Sequence, residues 1–139
     1  MPDPFRLPLT DIQPSQLYIC TAKLADVLAS WDPPHLGTLP PIPIKALNGR
    51  IVATDGHTRA FAAYCCGFSE VPVVWDEDDL DWEAYQICVD WCLAEGIRTA
   101  MDLEGRLLAP EDYDVLWLGR CAEMQDGLAA RRAGAPSRE

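Results

Sequence analysis

Lysine is scarce in this chain: Lys23 and Lys45 are the only two, and acidic residues outnumber basic ones 22 to 11, for a net charge of −11. A protein that wraps DNA or RNA needs the opposite balance, because phosphate neutralisation by lysine and arginine dominates such binding. DNA is therefore not an expected partner on charge alone. Histidine is equally rare, with only His35 and His57. No apolar run approaches the ~20 residues that span a bilayer, so no membrane partner is expected. The opening Met1-Pro2-Asp3-Pro4-Phe5-Arg6 lacks the basic-then-apolar order of a signal peptide. The expectation is a soluble, cytoplasmic protein. Cysteine is present six times, but the spacing suits neither zinc nor a disulfide framework. Cys65 and Cys66 are adjacent, and Cys88 and Cys92 share one face of an expected helix. Reduced and mostly buried thiols are the simplest reading.

The 139 residues suit one domain with a small appendage. Such a length buries about 65–70% of the surface that the unfolded chain exposes, so no disulfide or metal staple is needed. A strand is expected over Arg6–Ile12, before the turn Gln13-Pro14-Ser15. Leu24, Val27 and Leu28 recur at helical spacing within a helix over Thr21–Ser30, with Thr21 as its cap. A Pro-rich loop carrying His35 follows. Two runs, Ile42–Leu47 and Arg50–Thr54, flank Asn48-Gly49, a strong two-residue hairpin signal. A helix through Ala60, Phe61, Ala63 and Tyr64 ends near Gly67, and Val71–Trp75 forms a further strand. Pro72 places that strand at an edge, or itself near the strand's start. Beyond the acidic run Asp76–Asp79 the chain reads as helical. Asp81 caps a helix that Gly96 stops, and Pro110 opens a last helix. Tyr113, Leu116, Trp117, Cys121, Met124 and Leu128 form the apolar stripe of that last helix.

The chemistry concentrates in Thr54-Asp55-Gly56-His57-Thr58-Arg59-Ala60. A strand turns sharply into a helix there. The first amides of a helix lack intrahelical partners and carry the positive end of its dipole, which suits an anion. Arg59 adds a fork of donors matched to phosphate. Gly56 permits positive φ or a close approach of the anion. Asp55 is either a turn residue or a ligand for Mg²⁺ bridged to a phosphate. His57 is a candidate for proton transfer near neutral pH, and Thr58 offers a hydroxyl. Of the four acids Asp76, Glu77, Asp78 and Asp79, Asp76 is best placed to face a pocket. Trp75, Trp82 and Trp91 read as core residues.

These motifs, with Leu39–Ile44 before them and Val71-Pro72-Val73-Val74 after, resemble the ParB/sulfiredoxin superfamily, over about Arg6–Asp79. The resemblance implies an α+β fold, a small mixed sheet with helices, and a Gly-x-x-Arg helix that holds nucleotide phosphates through Gly56 and Arg59. Where sulfiredoxin carries its catalytic cysteine this chain has His57, and where partition proteins carry a second arginine it has Thr58. The Asp-Gly-His-x-Arg form is closer to nucleotide-dependent free-serine kinases, in which the aspartate belongs to the active site. Their glutamate base has no acidic counterpart in Gln13–Tyr18.

The expected organisation is a ParB/sulfiredoxin-like domain over 1–79, a C-terminal helical extension packed on it over 80–132, and a disordered tail over 133–139. The expected function is binding of a nucleotide or phosphorylated small molecule at Asp55–Arg59, with Mg²⁺ held by Asp55. Catalysis, if present, would be phosphotransfer or phosphohydrolysis served by Asp55 and His57. The alternative is a non-catalytic regulatory or protein-interaction module that binds a protein partner or forms a homodimer; a DNA-partition-type binding protein is a third reading, disfavoured by the charge and by Thr58.

Overall fold

The computed structural model describes residues 3–31 and 38–134. The fold is α+β. Strand β1 (Phe5–Pro8) is followed by a 3-10 turn, Leu9–Asp11, and then by the short β2 (Ile19–Cys20) and helix α1 (Thr21–Ser30). Strands β3 (Ile42–Leu47) and β4 (Arg50–Ala53) lead into helix α2 (His57–Cys65) and strand β5 (Glu70–Trp75). Helix α3 spans Trp82–Ala94, followed by a 3-10 turn at Ala100–Leu103 and strand β6 (Leu107–Leu108). The chain closes with α4 (Pro110–Tyr113), a π-turn over Asp114–Leu118, and α5 (Gly119–Gly134).

Four strands form one sheet in the order β1-β5-β3-β4, and β5 runs antiparallel to β1 but parallel to β3. The two-residue period of a strand places Ile42 and Ile44 on the buried face with Val71 and Val73, all four fully buried. Asn48 and Gly49 both adopt positive φ, 50° and 79°, as the hairpin reading requires. A Cβ added at Gly49 would meet nothing within 4 Å. Gly49→Ala is therefore expected to cost about 1 kcal/mol through the backbone alone, measurable as a lower urea midpoint with an unchanged m-value.

Some elements differ from expectation. Strand β1 stops at Pro8, because Leu9–Asp11 curl into a 3-10 turn that buries Leu9. Strand β5 lies inside the sheet, not at an edge. Pro72 is accommodated near its start, one residue before the ladder with β3 opens at Val73. Thr21 is the first helical residue of α1, with Cys20 in the cap position. Asp81 does cap α3, its carboxylate accepting the Ala84 N–H at 3.3 Å.

The last helix carries the largest departure. Its π-turn widens one turn and shifts the stripe, so Tyr113, Trp117 and Leu128 are buried while Leu116 faces outward. Helix α5 extends to Gly134, further than the expected tail boundary, because Arg132 pairs with Asp81 and Glu83 at the start of α3 and Arg131 pairs with Glu83. The rest of the expected tail, 135–139, and the loop with His35 lie outside the described residues.

Two apolar clusters fill the interior. One joins the sheet to α2 through Leu9, Ile42, Ile44, Ala60, Ala63 and Val73. The other sets Leu17, Ile19 and Phe61 against Cys88, Cys92, Leu103 and Trp117 from the C-terminal part. Leu24 and Tyr64 pack against both clusters. A parallel pairing of β2 with β6 stitches the same two parts of the chain together. Among the described residues no helix is long and apolar enough to cross a membrane.

Candidate functional site

The turn between β4 and α2 is held from several directions before any ligand is considered. Thr54 is buried, its N–H donating to Pro43 O at 3.0 Å and its hydroxyl to Asp76 Oδ2 at 2.6 Å. The Tyr85 hydroxyl from α3 donates to Thr54 O at 3.0 Å. Asp76 thus faces the site, as its position at the strand's end suggested, but its second oxygen accepts the Asp78 N–H at 2.9 Å.

Asp55 is exposed, and its Oδ1 accepts the Gly56 N–H at 2.8 Å. The helix cap is Gly56 itself, with φ 74° and ψ 19°, and no side chain caps α2. The first amides of that nine-residue helix are therefore without a side-chain acceptor. Gly56 is also closely approached: an added Cβ would lie 2.8 Å from Arg59 Nη2 and 3.3 Å from Ile42 Cγ1.

Arg59 is half-buried. Its Nη2 donates to Pro41 O at 3.1 Å, while its buried Nε has no partner. Burial lowers its pKa, opposed by Asp55, but a guanidinium stays charged.

His57 is buried, and Nε2 accepts the Ser15 N–H at 2.9 Å. An amide can only donate, so Nε2 is the unprotonated nitrogen of a neutral ring. Burial pushes the His57 pKa down to about 4, against a raising effect from Asp55. The ring is neutral at pH 7 and one nitrogen is committed. That geometry suits a residue that positions the turn better than one that shuttles protons, the role expected from sequence. Ser15 completes the strap by donating its hydroxyl to Ala53 O at 2.7 Å.

Three depressions meet at Asp55. A cavity of about 310 Å³ is lined by Gly56, His57, Thr58 and Arg59 together with Lys23 and Tyr113. The expected phosphate residues are thus gathered on one wall, and Lys23 from α1 joins them. Lys23 Nζ lies 5.1 Å from the Tyr113 ring centroid. A second cavity of about 220 Å³ runs behind the turn between Ser15, His57, Tyr85 and Cys121. A third, of about 630 Å³, opens on the other side between Thr54, Trp75, Asp76, Asp78 and Tyr85.

Trp75 is not core: it is 41% exposed at the end of β5, packed on Phe5. Cys65 and Cys66 are likewise exposed, at the last turn of α2. Among the described residues no group of three or more His, Cys, Asp or Glu side chains is placed to hold a metal ion. A Mg²⁺ that arrives with a phosphate and keeps most of its waters needs only one or two carboxylates, and exposed Asp55 fits that demand.

Sequence reading missed Lys23, Gln16 and Tyr113, which line the same cavity as Arg59. The rarity of lysine was the one available signal for Lys23. No family model matches this chain, and no curated protein matches it. Among solved structures, protein Atu1540 from Agrobacterium tumefaciens superposes with a TM-score of 0.46 and 16% identity, over 66% of this chain and 49% of that one. The chain spans about half the length of that protein.

Proposed function

We propose that the turn Asp55–Arg59 is a pocket for a nucleotide or another phosphorylated small molecule. The observation that carries this reading is the single cavity onto which the start of α2, Thr58, Arg59 and Lys23 all open. Two cations and a helix N-terminus in one concavity are an arrangement for phosphate, and the two carboxylates on the same lining, Asp26 and Asp55, suit a phosphate that brings its own Mg²⁺. The ParB/sulfiredoxin resemblance supports the same placement through Gly56 and Arg59.

Phosphoryl transfer or hydrolysis is the reaction class this arrangement fits. Arg59, Lys23 and the amides would stabilise charge on the phosphoryl oxygens, and Asp55 would hold Mg²⁺ brought by the ligand. His57 would act by fixing Ser15 and the turn. A non-catalytic module is the second reading, favoured by one specific observation: the only histidine at the turn is already spent on Ser15. The exposed Val115, Leu116 and Leu118 on the π-turn would then offer a partner or a second copy an apolar contact.

A thermal-shift series with nucleoside di- and triphosphates, sugar phosphates and inorganic phosphate, each with and without Mg²⁺, tests the pocket. A ligand at a hundred times its Kd should raise the melting midpoint by on the order of 10 °C. Arg59→Ala should abolish the shift and Lys23→Ala should reduce it. The pocket reading fails if no phosphate compound moves the midpoint, or if Arg59→Ala leaves the shift intact. Phosphorus NMR of any binder then separates turnover from simple binding.

A further inference from the structure

Tyr113 is a buried polar group that the binding of a phosphate leaves unused. The residue is 3% exposed, and its hydroxyl takes part in none of the described hydrogen bonds. Burial pushes its pKa up to about 12, so it stands as a neutral hydroxyl that can both donate and accept. Among the described residues, Arg59 Nε is the one side-chain nitrogen or oxygen sealed from solvent without a partner. The Tyr113 hydroxyl is therefore not sealed, and the cavity that Tyr113 lines is the one of about 310 Å³ shared by Arg59 and Lys23. Two acceptors line that cavity with it. Gln16 spends its Nε2 on Tyr18 O at 2.8 Å, which leaves Oε1 without a donor. Asp26, three residues after Lys23 on α1, is exposed.

We propose that the ligand of this cavity is a sugar or polyol monophosphate, with its phosphate on Arg59, Lys23 and the start of α2 and its hydroxyls on Tyr113, Asp26 and Gln16. This assignment rests on the phosphate pocket proposed for the turn, and it selects one class among the ligands that such a pocket admits. A carboxylate and an amide oxygen repel a phosphate oxygen, since neither has a proton to offer it. Both accept readily from ligand hydroxyls. A phenol can either donate to a ligand hydroxyl or accept from one.

Size, charge and surface each favour a sugar phosphate over a nucleotide. About 310 Å³ lies at the small end of ligand pockets, which run from about 300 to about 1,000 Å³. A phosphate monoester carries up to about two negative charges near neutral pH, which Arg59 and Lys23 match one for one. A triphosphate would need Mg²⁺ to offset its further charge beside Asp26 and Asp55, whereas a monoester needs none. A base would also need an aromatic face to stack on. Tyr113 is the one tyrosine on the lining and no tryptophan or phenylalanine joins it, while Lys23 Nζ sits 5.1 Å from the Tyr113 ring centroid.

Titration calorimetry on the full chain compares ethyl phosphate, glycerol 3-phosphate, ribose 5-phosphate, glucose 6-phosphate, AMP and ATP. EDTA is present throughout, so that Asp26 cannot act through Mg²⁺. At least one sugar or polyol monoester should bind about ten-fold more tightly than ethyl phosphate, as one or two added hydrogen bonds allow. AMP, which adds a base to ribose 5-phosphate, should bind no more tightly than that sugar. Tyr113→Phe removes a single oxygen and should weaken the sugar phosphate about ten-fold while leaving ethyl phosphate unchanged. Asp26→Ala, at an exposed position, should show the same selectivity. Equal affinity for ethyl phosphate and every sugar phosphate overturns the proposal and leaves the phosphate pocket standing, as does tighter binding of AMP or ATP. Equal weakening of ethyl phosphate and sugar phosphate in Tyr113→Phe also overturns it. If none of these compounds binds, the proposal fails, and the thermal-shift series with Mg²⁺ decides the pocket separately.

Discussion

Between pH 7.5 and pH 5 the folded state is expected to lose about 2 kcal/mol of stability through one side chain, His57. Its imidazole titrates near 6.5 when unfolded and near 4 when folded, because burial disfavours the charged ring. Between those values the unfolded chain binds a proton that the folded chain does not, so stability must rise with pH across the window. The contribution is complete above about pH 7, declines as pH falls through 6.5, and is lost in full only once pH has fallen below about 4. At about 1.4 kcal/mol for each pH unit of the gap, the whole loss approaches 3.5 kcal/mol. Carboxylates also titrate toward the lower end, so the comparison with a variant isolates the histidine. His57→Gln keeps an acceptor for the Ser15 N–H, which the Nε2 atom now takes at 2.9 Å, but it has no proton to gain. Urea unfolding at pH 7.5, 6 and 5 should give a slope for the native chain that exceeds the variant's by about 2 kcal/mol over the range. Parallel slopes would show that His57 is not buried as a neutral acceptor.

Features governed by neighbouring residues were readable in the chain, and features governed by distant ones were not. Asn48-Gly49, Asp81 and Pro110 each dictate a local backbone geometry, and each sits where its chemistry predicts. Pro72 was harder, since its missing N–H constrains a ladder that depends on which strands lie beside it. The pairing of β2 with β6 involves two residues on each strand, too few for any period to register. Gln13 is another long-range case: it bridges to Val52 and donates from its side chain to Ile97 O at 2.8 Å, fixing the Ser15 strap that holds His57.

The candidate site divides along the same line. Asp55 to Arg59 are consecutive, and their chemistry follows from a strand-to-helix turn. Lys23, Gln16 and Tyr113 arrive from α1, the segment before β2, and α4, which only the tertiary fold brings together. His57 shows what residue type alone does not carry: whether an imidazole stands in water or, as here, is buried with Nε2 accepting the Ser15 N–H. The π-turn is a further example: a regular 3.6-residue period puts Leu116 inside, and one widened turn leaves it 47% exposed.

Gly56→Ala is expected to cost about 2 kcal/mol and to remove phosphate-dependent stabilisation at the same time. Two separate effects produce it. A left-handed backbone at φ 74° penalises any Cβ by about 1 kcal/mol, and here the Cβ would also lie 2.8 Å from Arg59 Nη2 and 3.3 Å from Ile42 Cγ1. The guanidinium can move and the isoleucine, within the core, cannot easily do so. Arg59 would therefore be displaced from Pro41 O and from the cavity it shares with Lys23. Gly67→Ala is the matched control, since Gly67 also has positive φ, 91°, but open space around it. It should cost about 1 kcal/mol and leave ligand shifts unchanged. A double-mutant cycle then assigns the excess. In an Arg59→Ala background the contact with the guanidinium no longer exists, so Gly56→Ala should cost less than it does with Arg59 present, and what it still costs beyond Gly67→Ala is the contact with Ile42 Cγ1. If the two glycine variants already cost the same with Arg59 present, and Gly56→Ala still responds to phosphate ligands, then Gly56 is only a turn residue. The close approach of Arg59 to the helix start would in that case have no part in forming the pocket.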